Sequence, residues 1–250
     1  MSSLDGFPTG SEQSHPMNAL RKYESRLTCG GFTLIELLSV VAIMGVLMGI
    51  LIPVVGRIRQ SAAATECGNN LRQMQIANIA YSQEHDGGYV PVEDLRGDEY
   101  TDTPGTGGKW FANKVFYSYL TGENLNRGSW PDEYFCPGSA DYGNTSVARS
   151  YGYNVTGLNN GETELRQFRR NQIDYPSKMI AFADGLDWKI QASGADLYSE
   201  DVSQTDKLSF AVAYRHGGEM NAVFFDGHVE RLSKDEVSGD DNLEYWESSP

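Results

Sequence analysis

The residue types best suited to chemistry lie in the C-terminal part of the chain. Nine residues separate His216 from Asp226 and Gly227, and His228 and Asp184 complete the set. An imidazole and carboxylates can exchange protons or bind a metal ion when they share one site. In a simple hairpin, however, His216 and Asp226 would lie about 20 Å apart, at roughly 3.3 Å per strand residue. We therefore expect an Asp-Gly turn and a histidine that caps a backbone carbonyl, with a hydrolase using His216 and Asp226 as the alternative.

Acidic loops offer a second kind of site. Segments 196–206 and 235–241 carry several carboxylates, the ligands that calcium prefers, although neither segment matches an EF-hand. Cys67 and Cys136 lie far apart in the sequence and lack the paired spacing of a zinc site. The chain has no Walker loop, nucleophile elbow or zinc-protease motif. We predict that it is not an enzyme and needs no cofactor, with calcium as the metal to consider.

The charge of the chain limits its partners. The 250 residues carry a formal net charge of -14. A nucleic-acid-binding protein needs a basic surface to meet phosphates, so that class is excluded. The acidic excess lies entirely after Gly31, because acidic and basic residues balance before that position. Such a surface keeps a domain soluble and attracts cations.

One strongly apolar run, Phe32–Val55, precedes all of these candidate site residues in the chain. It contains a single charge, Glu36. As a helix it would be about 36 Å long, enough to cross a hydrocarbon core of about 30 Å. A secretory signal would be shorter and would have its small-residue cleavage site after the run, whereas here a Gly-Gly pair ending at Gly31 precedes it. Cleavage there would remove the leader and keep the apolar helix.

The helical pattern continues beyond the apolar run. One side of the predicted helix carries residues at helical spacing: Ile58, Ala62, Leu71, Met74, Asn78 and Tyr81. This spacing predicts that one face packs on a domain. Asp86 and the two glycines after it end the helix, which we place over residues 32–84. Pro53 is expected to kink or locally melt it.

After residue 85, short apolar runs alternate with Gly, Asn and Asp. The patterns predict a short helix at 110–120, a strand end at 135–137, and strands at 150–155, 179–183, 210–214, 220–225 and 228–232. The fold class is α+β, with a long N-terminal transmembrane helix packed on a small antiparallel β-sheet domain. The predicted divisions are the leader 1–31, the helix 32–84 with its transmembrane half 32–55, the globular domain 85–235 and an acidic tail 236–250.

The segment Gly30-Gly31-Phe32-Thr33-Leu34-Ile35-Glu36 resembles the class III signal of type IV pilins and type II secretion pseudopilins. The resemblance implies that a prepilin peptidase cuts between Gly31 and Phe32 and that Phe32 is then N-methylated. It also implies that Glu36 pairs with the amine of Phe32 on a neighbouring subunit during assembly. The expected partners are therefore the peptidase, other pilin-like subunits and the inner membrane.

The C-terminal residues carry a resemblance of their own. His216, Asp226 and Gly227 resemble the H-x9-DG signature of prepilin-type proteins that are abundant in planctomycetes. Other segments look like the same group, among them the stretch that begins at Cys67 and the Phe-Cys-Pro around Cys136. The resemblance implies relatives for the globular domain, but no biochemical role for the signature.

Cleavage after Gly31 would also change the cysteine count. Cys29 would leave with the leader, and an even pair, Cys67 and Cys136, would remain in an oxidising compartment. This arithmetic predicts a disulfide between them, with two unpaired buried thiols as the alternative.

The function predicted from these features is structural. The chain is a pilin-like subunit that assembles into a type IV pilus-like or type II secretion-associated filament. The alternative is a membrane-anchored binding module, for glycans or calcium, that does not polymerise. In both cases the chain crosses the inner membrane once, with the leader in the cytoplasm and the C-terminal domain outside it.

Overall fold

The computed structural model describes residues 31–94, 108–123, 130–142, 146–158, 165–198 and 208–248. Positions 1–30 of the predicted leader, with Gly30 and Cys29, lie outside this set. The chain divides after Gly49 into an N-terminal unit and a larger C-terminal unit that begins at Ile50.

The long helix predicted from the sequence is present as α1, Leu34–Glu84. It continues through Pro53, so this proline does not end it. Every residue from 31 to 62 is exposed, and burial begins at Ala64. Ile58 and Ala62 are thus exposed, because the domain covers the helix only from Ala64 onward.

The end of α1 lies where the glycines predict it. The amide of Gly87 donates to Ser82 O at 2.9 Å and closes the last turn. Gly87 has a φ of 78°, a left-handed conformation that glycine adopts without steric cost. The chain therefore leaves the helix at this point and turns back toward the sheet.

The C-terminal unit contains seven strands and three further helices among the described residues. The helices are α2, Lys114–Thr121, α3, Val147–Ser150, and α4, Lys234–Val237. The strands are β1 (Glu93–Asp94), β2 (Tyr151–Asn154), β3 (Leu165–Arg166), β4 (Ile180–Asp184), β5 (Lys189–Ile190), β6 (Glu219–Phe224) and β7 (Val229–Ser233).

Five of these strands form one sheet in the order β5-β2-β4-β6-β7, and β1 pairs with β3 separately. The large sheet is mixed and not wholly antiparallel, because β5 runs parallel to β2. β4 is antiparallel to β2, so the reversal that follows β4 makes the next strand run along β2. The chain crosses β2 at Gly152, where a Cβ would come within 2.4 Å of the Ile190 side chain.

Two predicted elements differ in the structure. Segment 210–214 is not a strand and makes only isolated bridges, Gly185 with Val212 and Ile190 with Phe210. Phe210 has a φ of 65°, which interrupts an extended ladder. Residues 135–137 are not a strand end but lie at the junction of two 3-10 turns, Asp132–Tyr134 and Pro137–Tyr142.

Apolar side chains form two main clusters in the C-terminal unit. The first joins the buried face of α1, including Leu71 and Met74, to Trp110 and to Phe182 of β4. The second contains Trp246, which is fully buried. Its backbone carbonyl accepts a hydrogen bond from Asn154 Nδ2 of β2 at 2.9 Å, so the segment predicted as an acidic tail is packed into the domain. A buried tryptophan contributes a large apolar surface, which explains this packing.

Candidate functional site

The segment predicted to be cleaved lies just ahead of α1. Gly31, Phe32 and Thr33 are outside the helix, and all three are exposed. The side chain of Phe32 is 81% exposed, and a Cβ at Gly31 would meet nothing within 4 Å. A peptidase needs an accessible, non-helical chain around the bond that it cuts. The Gly31–Phe32 bond meets that requirement.

Thr33 and Glu36 begin the helix with reciprocal hydrogen bonds. The Thr33 amide donates to Glu36 Oε2 at 2.9 Å, and the Glu36 amide donates to Thr33 Oγ1 at 3.3 Å. The Thr33 hydroxyl also donates to Glu36 Oε2, at 2.8 Å. This is a capping box, which satisfies backbone donors that the first turn leaves unpaired. Within one chain, Glu36 therefore has a local role in starting the helix.

The surface that follows is apolar on all sides. Leu37, Val41, Met44 and Leu51 are each more than half exposed, as are most of their apolar neighbours. Among the described residues one helix, Leu34–Glu84, is long and apolar enough to cross a membrane. A helix that is apolar around its whole circumference needs lipid or other protein to cover it.

His216 lies in a buried polar cluster. Its Nε2 is 3.2 Å from Asp184 Oδ2 and 3.3 Å from Cys136 Sγ. The backbone holds it in place, because its amide donates to Glu219 O and its carbonyl accepts a hydrogen bond from the Arg231 guanidinium. The prediction that this histidine caps a backbone carbonyl is therefore wrong, since its ring faces a carboxylate and a sulfur.

Asp184 ends β4 inside the same cluster. Its side chain is fully buried, and its Oδ2 accepts hydrogen bonds from the Asn221 amide at 2.7 Å and from Asn221 Nδ2 at 3.1 Å. Asn221 belongs to β6, so adjacent strands of the sheet set the position of the carboxylate.

Cys67 and Cys136 form a disulfide with a Cα–Cα distance of 5.1 Å. Both residues are buried. Cys67 lies on α1 and Cys136 lies between two 3-10 turns, so the bond ties the helix to the rest of the C-terminal unit.

Asp226 and Gly227 lie in a different environment. They form the turn after β6, where Gly227 has a φ of 96°. Asp226 Oδ1 accepts a hydrogen bond from the His228 amide at 3.0 Å and lies 2.6 Å from His228 Nδ1. In the described part of the chain no contact joins His216 to Asp226. The Asp-Gly turn is as predicted, and a shared His216–Asp226 catalytic pair finds no support.

Residues 26–52 match a family model described as the prokaryotic N-terminal methylation motif. This match supports a type IV pilin-like protein. The match supports a precursor that prepilin peptidase processes, and the apolar helix suggests a single membrane anchor. Comparisons of the chain with curated proteins and with solved structures give no match.

Two features of the chain were missed in the sequence. The capping box is written as Thr-x-x-Glu ahead of an apolar run, which is a recognisable helix-start signature. The grouping of Asp184 with His216 has no such local signal. Its only sequence trace is that β4, like the Phe225 segment, runs directly into Asp-Gly.

The predicted calcium ligands fall mainly outside the described residues or have other partners. Positions 199–206 of the first acidic loop lie outside that set. In the second, Glu236 accepts hydrogen bonds from the hydroxyl and the amide of Ser233, and these bonds lower the pKa of the Glu236 carboxyl. This carboxylate is thus already used to start α4.

Proposed function

We propose that the processed chain is a structural subunit of a type IV pilus-like or type II secretion-associated filament. The supporting observation is the exposed apolar surface of residues 34–55, which carries a single carboxylate, Glu36, inside the matched motif. Lipid can cover this surface before assembly, and the helices of other subunits can cover it afterwards.

Cleavage between Gly31 and Phe32 would create a positive amine four residues before Glu36. In hydrocarbon, a carboxylate without a partner is costly, by about 2.5–3.5 kcal/mol at the centre of a membrane helix. In the single chain, Thr33 satisfies Glu36 locally. In the filament, the amine of Phe32 from a neighbouring subunit would add an opposite charge and set the register between the two helices.

The proposed orientation places the leader in the cytoplasm and the C-terminal unit outside the inner membrane. The disulfide between Cys67 and Cys136 supports this arrangement, because such bonds persist in oxidising compartments. The proposal assigns no catalytic step to the C-terminal unit.

The test compares Glu36→Ala with Glu66→Ala. Both carboxylates are exposed on α1, but Glu66 lies beyond the matched segment. Each variant is expressed with prepilin peptidase, the mature N-terminus is read by mass spectrometry, and the sheared filament fraction is quantified. We expect all forms to begin at N-methyl-Phe32, and only Glu36→Ala to be lost from filaments.

The possible results separate the alternatives. Filaments that take up Glu36→Ala as well as the unchanged chain would contradict assembly through this carboxylate and favour an anchored, non-polymerising binding module. A mature chain that still begins at Met1 would contradict the processing step itself.

A further inference from the structure

We propose that the reduced chain binds one Zn²⁺ through Cys67, Cys136, Asp184 and His216, and that the zinc form and the disulfide form are alternative states of one cluster. Sequence spacing argued against zinc because the two cysteines are far apart in the chain. The fold removes that objection by bringing all four side chains together. The inference does not depend on filament assembly.

The geometry of the cluster suits a tetrahedral ion. One ligand atom from each of the four residues lies within 4.8 Å of all the others. Zinc bonds of about 2.0–2.3 Å give ligand-to-ligand edges of about 3.3–3.8 Å. The distance from His216 Nε2 to Cys136 Sγ, 3.3 Å, is already close to such an edge, and the Asp184 carboxylate lies beside the same nitrogen, with Oδ2 at 3.2 Å.

The second observation is an unsatisfied oxygen. Among the residues that the structure describes, Asp184 Oδ1 has no hydrogen-bond partner, although the side chain is fully buried. A buried carboxylate oxygen without a partner is costly, and a divalent cation would offset that cost. Asn221 donates two hydrogen bonds to the other oxygen, Oδ2, and ligating carboxylates commonly have such hydrogen-bonded partners.

The chemical types also favour zinc over a hard cation. Two sulfurs and an imidazole nitrogen select zinc, whereas calcium and magnesium require oxygen ligands. The four residues are all buried, which is typical of a structural zinc site without an open position.

The two states interconvert with a balanced exchange of electrons and protons. The chain is synthesised with two thiols, and Zn²⁺ binding releases their two protons because the thiolate is the ligand. Oxidation forms the Cys67–Cys136 bond and passes two electrons to an oxidant of the disulfide class. The disulfide has no thiolate to offer, so zinc is released. Either state ties α1 to the rest of the C-terminal unit.

The experiment uses the full mature chain in detergent, with ZnCl₂ or CoCl₂ as the probe. The chain is reduced anaerobically with a phosphine, or left oxidised, then separated from free metal and analysed for bound zinc. We expect about one zinc per reduced chain and none per oxidised chain, at the stoichiometry of a four-ligand site. Cobalt should give the visible bands of a tetrahedral site with sulfur ligands in the reduced chain only.

Matched variants locate the site. Asp184→Asn should weaken zinc binding at least about tenfold, and Asp226→Asn, which changes a carboxylate paired with His228, should not. Tryptophan fluorescence of the oxidised variants checks that each is folded. His216→Gln provides a second ligand variant and should change the cobalt spectrum.

The comparison of reduced and oxidised unchanged chain requires no variant to fold. Absence of zinc from the reduced chain, whether folded or unfolded, would overturn the proposal. Equal zinc binding by the oxidised chain, or loss of binding with Asp226→Asn and not with Asp184→Asn, would also overturn it.

Discussion

The two parts of α1 carry opposite surfaces. Residues 34–62 are exposed, and the apolar side chains of residues 34–55 point in all directions around the helix. Residues 64–84 bury one face, and that face includes the polar side chains of Asn70, Gln75 and Asn78. The apolar part is therefore uncovered, while amide groups of the second part lie in the core.

The two parts of the helix differ in whether the groups that cover them belong to the same chain. The buried amides have partners within the chain: Gln75 Nε2 donates to Phe225 O at 2.8 Å, and Asn78 Nδ2 donates to the Tyr153 hydroxyl at 3.2 Å. Such bonds make a buried polar group acceptable and specify one arrangement of helix and sheet. The apolar part requires a cover from outside the chain, which is the premise of the filament proposal.

The largest expected difference in stability is between two variants that each shorten a leucine, one in each part of the helix. Leu71 is fully buried and Leu47 is 54% exposed. Leu71→Ala should lower the free energy of unfolding by about 2–5 kcal/mol, because it loses burial and leaves a cavity. Leu47→Ala should change it by less than about 0.5 kcal/mol. Urea unfolding followed by tryptophan fluorescence in detergent measures both.

The Leu47→Ala variant also bears on the filament proposal. That proposal assigns Leu47 to contacts between subunits, so the substitution should leave the stability of the domain unchanged. A Leu47→Ala chain that unfolds as easily as Leu71→Ala would show that the exposed part of the helix is covered by its own domain.

A smaller effect is expected from the buried amides. Asn78 Oδ1 accepts a hydrogen bond from the Val90 amide at 2.8 Å, and that amide is buried with it. Asn78→Ala leaves a buried donor unsatisfied and should cost about 1–3 kcal/mol. Asn69 lies at an exposed position of the same helix. Asn69→Ala raises helix propensity by the same amount as Asn78→Ala but removes no buried hydrogen bond. Equal urea midpoints for the two variants would contradict a structural role for the buried amide.

Local patterns were sufficient for the helix and the hairpin. The spacing of Leu71, Met74 and Tyr81 has the period of a helix, and all three are buried. The Asp-Gly turn separates β6 from β7, as the short apolar runs and the turn residues between them predict. The helix and the hairpin are determined by residues that are close together in the sequence, so a short stretch of sequence is enough to predict them.

The remaining features depend on residues far apart in the chain. β5 has only two residues and pairs with β2 because the chain crosses at Gly152, which no pattern within Lys189–Ile190 reveals. The buried cluster is similar, since Asp184 and His216 meet only after β4 and β6 have paired. Residue spacing therefore predicted neither the parallel edge strand nor the four-residue cluster.

The smallest expected effect is on the pH dependence of stability, and it again compares a buried with an exposed side chain. Burial, followed by the negative charge of Asp184, raises the pKa of the Tyr151 hydroxyl far above its usual range, although a hydrogen bond from Asn70 opposes this shift. In the unfolded chain a tyrosine loses its proton near pH 10. The folded chain therefore holds more protons above that pH, and stability should fall as pH rises past about 10.

Tyr151→Phe removes the titrating hydroxyl, and with it the difference in bound protons between the folded and unfolded chain at this residue. The free energy of unfolding of the variant should therefore fall less steeply with pH, by up to about 1.4 kcal/mol per pH unit. Tyr175 is 61% exposed, so Tyr175→Phe is the control at an exposed side chain. Tyr175→Phe should keep the slope of the unchanged chain. Urea unfolding at several pH values between 8 and 11 measures the slopes, and parallel slopes for Tyr151→Phe and Tyr175→Phe would contradict the prediction.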